Sequence, residues 1–131
     1  MKPTNIIIFL SIALCLLNLS SVNAASWVYV GSTPNLDRDF FIDSDTIERQ
    51  GDTLLLWDKI VYYAPEKNNN ITMIIGQLEF LVPSNRVRIL SQTQFDADNH
   101  SHTFDNDRRW YKIIPGTMDE AMLKKAIEIR Q

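Results

Sequence analysis

The apolar positions of the chain repeat every second residue over most of its length and switch to a helical spacing near the C-terminus. "SWVYVG" (Ser26 to Gly31) is aromatic and β-branched and predicts a strand. The turn-rich "STPNLDRD" separates it from a brief strand at "FFID" (Phe40 to Asp43). "SDTIERQGD" predicts a turn ending at Gly51 and Asp52. In "TLLLWDKIVYY" (Thr53 to Tyr63), Leu55, Trp57, Lys59, Val61 and Tyr63 share one face; Leu54, Leu56, Asp58, Ile60 and Tyr62 share the other. Both faces are largely apolar, which predicts a central strand covered on both sides. Beyond the polar loop "APEKNNN", a strand from Ile71 to Val82 turns Ile74, Gly76, Leu78, Phe80 and Val82 to the core, with Gly76 marking a bulge or close packing. "PSN" then turns the chain into Arg86 to Asp96, with Val87, Ile89, Ser91, Thr93 and Phe95 on one side, and "RWYKII" (Arg109 to Ile114) reads as a further strand.

After Pro115 the period changes. Met118, Ala121, Met122, Ala126, Ile127 and Ile129 form an apolar stripe at helical spacing, which predicts a helix from Thr117 to Arg130. Thr117 and Glu120 fit a capping box, and Asp119 and Glu120 suit the positive end of the helix dipole. The charge on this helix is mixed rather than basic, so its stripe belongs on the sheet and not on a membrane surface. The predicted fold class is α+β: an antiparallel meander sheet of about six strands with one C-terminal helix packed on it.

The first residues change the picture of where this domain works. Lys2 precedes an uncharged apolar run, "IIIFLSIALCLLNL", and small residues follow in "SVNAAS". This is the pattern of a secretory signal peptide over residues 1–24, cut after Ala24, leaving a single domain over residues 25–131. Cys15 does not suit a lipid anchor, because Leu14 precedes it and "LLNL" continues beyond. Cleavage removes this cysteine, the only one in the chain, so the mature domain has no disulfide and no thiol ligand. It must be held by its own core. Losing Lys2 with the leader leaves 12 basic residues against 16 acidic ones, a net charge of −4. That balance points away from nucleic acid as a partner.

Candidate chemistry is sparse. "FDADNHSHTFDNDRRW" (Phe95 to Trp110) holds both histidines, His100 and His102. Two histidines two residues apart lack a nearby third ligand of known geometry, and "DADNHS" lacks the glycine and glutamate of a calcium loop. The stretch reads as a solvated hairpin loop, with a weak metal site at His100 and His102 as the alternative. No G-x-S-x-G, H-E-x-x-H or glycine-rich phosphate loop occurs, so neither an enzyme nor a cofactor is expected. Asp43 and Asp45 read as turn caps. Arg86 and Arg88 share a strand face and Arg108 and Arg109 precede the next strand, a candidate cationic patch for an acidic partner. Trp27, Trp57 and Trp110 read as core residues rather than a sugar-binding platform.

The order of "WVYVG", "FFIDSDTIERQGD", "LLLWDKIVYY", "RVRILSQTQFD" and "RWYKIIPGT" before a terminal helix resembles the surface-adhesin protein E family of bacterial envelope proteins. The resemblance covers about Ser26 to Ile129. It implies an antiparallel sheet with one helix against it, and a non-enzymatic, adhesin-like binding module at the cell surface, in the periplasm or outside the cell. It implies host extracellular-matrix or plasma proteins as partners, and a homodimer. Family members commonly carry a cysteine near the strand before "RVRIL" and another in the last helix; here those regions read "EFLVPSNR" and "AIEIRQ", so the implied disulfide is lost. The alternative function is a periplasmic domain that binds a small ligand or an envelope component, which a larger cavity between sheet and helix would favour.

Overall fold

A computed structural model describes residues 25–35 and 37–130. The expected leader over residues 1–24 lies outside the described residues. The strands are β1 (Trp27–Ser32), β2 (Arg38–Asp43), β3 (Glu48–Gln50), β4 (Thr53–Tyr62), β5 (Ile71–Leu81), β6 (Arg86–Asp96), β7 (Ser101–Asp105) and β8 (Tyr111–Lys112), and the helix α1 spans Met118–Arg130. All pairings are antiparallel, in the order β1-β2-β4-β5-β6-β7. β3 continues the row of β2 along β4, and β8 continues the row of β7 along β6. The α+β meander with a terminal helix is therefore as expected, with two short strands added. β3 lies within the predicted turn, and β7 lies within the stretch expected to be loop.

One face of the sheet carries the core. Ile42 of β2, Leu54 and Leu56 of β4, Leu78 and Phe80 of β5 and Val87 of β6 pack against Met122, Leu123 and Ala126 of α1, with Ile113 closing the end. Register builds this layer: Leu54 lies opposite Phe80, Leu56 opposite Leu78, and Phe80 opposite Val87. Since burying each such side chain stabilises by about 1.5–3 kcal/mol, this one layer holds the domain without a cross-link.

Two expectations about faces change. β4 is central, but only its Leu54, Leu56 and Asp58 side is buried; Leu55, Trp57, Lys59 and Val61 stay half-exposed, because α1 covers one face and no other layer covers the second among the described residues. β6 does not keep one face throughout. Leu78 pairs with Ile89 and Gln77 with Ser91, so Leu90 is an inserted residue. With a side-chain period of two, one insertion exchanges the faces. Val87 and Ile89 thus face the core, whereas Ser91, Thr93 and Phe95 fall on the other side. Gln92 and Gln94 take the places opposite Gly76 and Ile74.

The helix begins one residue later than predicted and its cap is displaced. The Thr117 hydroxyl donates to the Ile114 carbonyl (2.6 Å), and Glu120 accepts from the backbone N–H of Gly116 (3.3 Å) rather than of Thr117. Gly116 turns there with φ at 81°, a left-handed conformation that glycine tolerates.

A candidate binding face and an inner cleft

The uncovered face of the sheet is the first candidate. Tyr29 of β1 lies opposite Phe41 of β2, Phe41 opposite Lys59 of β4, and Lys59 opposite Ile75 of β5. The Tyr29 and Phe41 rings meet edge to face, 5.8 Å between centroids. The Lys59 ammonium stands over two rings, 4.7 Å from the Trp27 centroid and 4.9 Å from that of Phe41. Trp57 follows Lys59 on the same face by strand alternation. At the far side the Arg88 guanidinium lies 4.4 Å from the Trp110 ring centroid. None of the three tryptophans joins the buried core. The expectation that they are core residues fails because, among the described residues, α1 covers only one of the sheet's two apolar faces.

The predicted arginines are not all alike. Arg88 pairs with Glu79, its cross-strand neighbour, through Nε (2.7 Å) and Nη2 (2.6 Å) to one carboxylate oxygen. Arg86 sits on the same face of β6, opposite Lys112 of β8. Arg109 Nε lies 3.5 Å from Asp107, and Arg108 occupies the loop before β8 with φ at 57°. Arg86, Arg88 and Lys112 thus share one corner of the sheet, with the charge of Arg88 met by Glu79.

The histidines sit at and after the β6–β7 turn. Asp96 accepts from the backbone N–H of both Asp98 and His100 (2.9 Å each), and the His100 ring approaches its other oxygen at 3.5 Å. These bonds hold the Asp96 carboxyl below the usual carboxylate range, led by the His100 backbone N–H. His102 lies in β7 and packs edge to face on Phe104, centroids 4.4 Å apart. Among the described residues, no group of three or more His, Cys, Asp or Glu side chains is arranged to hold a metal ion.

A second candidate lies on the helix side of the sheet and was not singled out from sequence. Asp58 is 6% exposed, and its Oδ1 accepts no hydrogen bond. It borders a cleft of about 160 Å³ with Phe40, Ile60, Leu78, Ile89 and Met122 as apolar walls and Gln92, Tyr111 and Asp119 as further polar edges. Burial pushes the Asp58 carboxyl up to about 7; its own backbone N–H works against this, and the negative charge of Asp119 adds to it. Burial also raises Asp119. The sequence signal was present: Asp58 is the one acid in the buried register of β4, directly opposite the one glycine of β5.

A profile described as "Surface-adhesin protein E" matches residues 27–126. No curated protein matches the chain.

Proposed function

Because the chain belongs to the surface-adhesin protein E family, we propose that it is an exported, non-enzymatic envelope protein that binds other proteins through the open face of its sheet. In this reading residues 1–24 direct export and residues 25–131 form the single working domain. The observation that carries it is the row of Tyr29, Phe41, Lys59 and Trp57 on a face that no second layer covers among the described residues. Large apolar faces left in water mark interaction surfaces, and aromatic residues and arginine dominate the energetics of such contacts. Host extracellular-matrix or plasma proteins are the partners that fit the family, and the site of action is the cell surface. Among the described residues no helix is long and apolar enough to cross a membrane.

The test is saturable binding to immobilised matrix proteins, with Phe41→Ser combined with Trp57→Ser. Loss of binding with unchanged circular dichroism supports the reading. Retained binding by the double variant sinks the role of this face. Protease shaving of intact cells supplies the second arm: protection of the protein until the envelope is opened removes direct host contact. A periplasmic domain that binds a small ligand without an adhesive role is the second reading, and the cleft at Asp58 favours it.

A further inference from the structure

The geometry points to the cleft at Asp58 as a binding site for a small organic cation, an ammonium group carried on an apolar body about the size of one aromatic ring. The inference gives the second reading above its ligand class, and it does not depend on the adhesive one, since the open face is on the other side of the sheet.

A buried carboxylate is held in native proteins by a cation, by hydrogen bonds, or by both. Among the described residues Asp58 has no cation, since no ion pair includes Asp58 or Asp119, and its Oδ1 accepts no hydrogen bond; its own backbone N–H alone favours the charged form. Among the described residues the one cation bordering the cleft, Arg88, turns its guanidinium to Glu79 and Trp110. Acceptors gather around Asp58, and the two edge groups that can also donate, Gln92 and Tyr111, give its Oδ1 no hydrogen bond. The Ser91 carbonyl oxygen lies 3.2 Å, and Asp58 Oδ1 2.8 Å, from the point where a Cβ on Gly76 would stand. Gln92 adds a side chain that accepts as well as donates, and Asp119 a second carboxyl. The group this setting lacks is a positively charged donor.

The walls decide what carries that charge. A hard metal ion takes six or more oxygens, which these apolar walls do not supply. Cavities of roughly 150 Å³ with apolar linings admit benzene, so a cleft of about 160 Å³ admits one ring or a short alkyl chain. Apolar walls with a few convergent polar groups are the usual make-up of a small-molecule site.

Titration with benzylamine, benzyl alcohol and benzoate at pH 8, followed through backbone amide shifts, tests this. Benzylamine is expected to bind saturably and to move the amides of Asp58, Gly76, Gln92 and Asp119. Benzyl alcohol is expected to bind about tenfold more weakly, or worse, and benzoate not at all. Asp58→Asn removes the charge at nearly constant shape and is expected to lower benzylamine affinity by roughly tenfold or more. The unaltered protein gives an independent readout through pH. The titratable groups bordering the cleft beside Asp58 are Asp119 of α1 and Tyr111 of β8; the Arg88 guanidinium is turned away to Glu79. As pH falls below the Asp58 titration, bound amine competes with the proton, and affinity drops by up to about tenfold per unit. Three results each overturn the proposal: benzyl alcohol binding as tightly as benzylamine, an Asp58→Asn variant with unchanged amine affinity, or no benzylamine binding at millimolar concentration.

Discussion

Gly76 faces Asp58 across β4 and β5, and the Asp58 carboxyl occupies the space that a side chain at position 76 would need. A Cβ at Gly76 would stand 2.8 Å from Asp58 Oδ1 and 3.2 Å from the Ser91 backbone oxygen, both tighter than ordinary contact. The Asp58 side chain is short and enclosed, and the Ser91 oxygen belongs to the sheet, so neither yields freely. Gly76→Ala is expected to destabilise the fold by ~1–3 kcal/mol through overpacking. Urea unfolding checks it; an unchanged midpoint would show that Asp58 swings clear at no cost.

Stability is expected to fall with rising pH between about 4 and 7, and Asp58 sets the sign. Its folded pKa, about 7, is above its ordinary value of 3.8. Between the two the native state keeps a proton that the unfolded chain has released, so the native state is favoured at low pH and loses that advantage as pH rises. Above 7 the contribution levels off. The full span is on the order of 4 kcal/mol. Asp58→Asn should flatten this slope and raise stability at pH 8 by ~1–3 kcal/mol, the gain being limited by the buried amide it introduces. Thermal melts at pH 4.5 and pH 8 decide it: equal slopes in both proteins remove Asp58 as the cause.

Much of this was legible in the sequence where apolar period and burial coincide. Leu54, Leu56, Leu78 and Phe80 alternate with half-exposed positions, and all four are buried. Legibility ended where one residue breaks the period. The extra Leu90 sends Phe95 to the face opposite Val87, and no local feature of "RVRILSQTQFD" announces it. β7 was invisible for another reason. All five of its residues are exposed at the sheet edge, so burial imposed no alternation to read. The tryptophans misled because apolar character says that a residue avoids water, not that the fold has a second layer to hide it. The site at Asp58 needed the pairing of two strands: an acid in a buried register is an anomaly in sequence, and Gly76 opposite explains how it fits.

The arginines should separate in a stability assay. Arg88 is held by Glu79 and by the face of Trp110, and Glu79 keeps only 13% of its side chain exposed. Arg88→Ala leaves that carboxylate half-buried without its partner and is expected to cost ~1–3 kcal/mol. Arg86 has no such partner among the described residues, and Arg86→Ala should stay within ~0.5 kcal/mol of the parent. Binding to an acidic partner, if carried by this corner, then weakens with salt through Arg86 and Lys112. Denaturant midpoints of the two variants measure the difference; equal losses would show that the Glu79 pair contributes no more than an exposed one.

Lys59 stands in the middle of the open face, between the rings of Trp27 and Phe41. Cation–ring contacts of this kind contribute about 0.5–1 kcal/mol each at exposed sites, too little to explain a charge in the most apolar row of the sheet. The role expected of it is to keep water on that face: a lysine amid aromatics opposes the stacking of one uncovered sheet on another. Lys59→Leu is expected to fold normally, because the position lies outside the packed layer beneath α1. The same change completes an uninterrupted apolar row from Tyr29 through Phe41 to Ile75. Sedimentation velocity across a range of concentrations provides the check. The variant should associate more strongly than the parent, with unchanged circular dichroism. Identical sedimentation at every concentration would mean that the aromatic row stays dispersed without the charge, and the solubilising role assigned to Lys59 would fall.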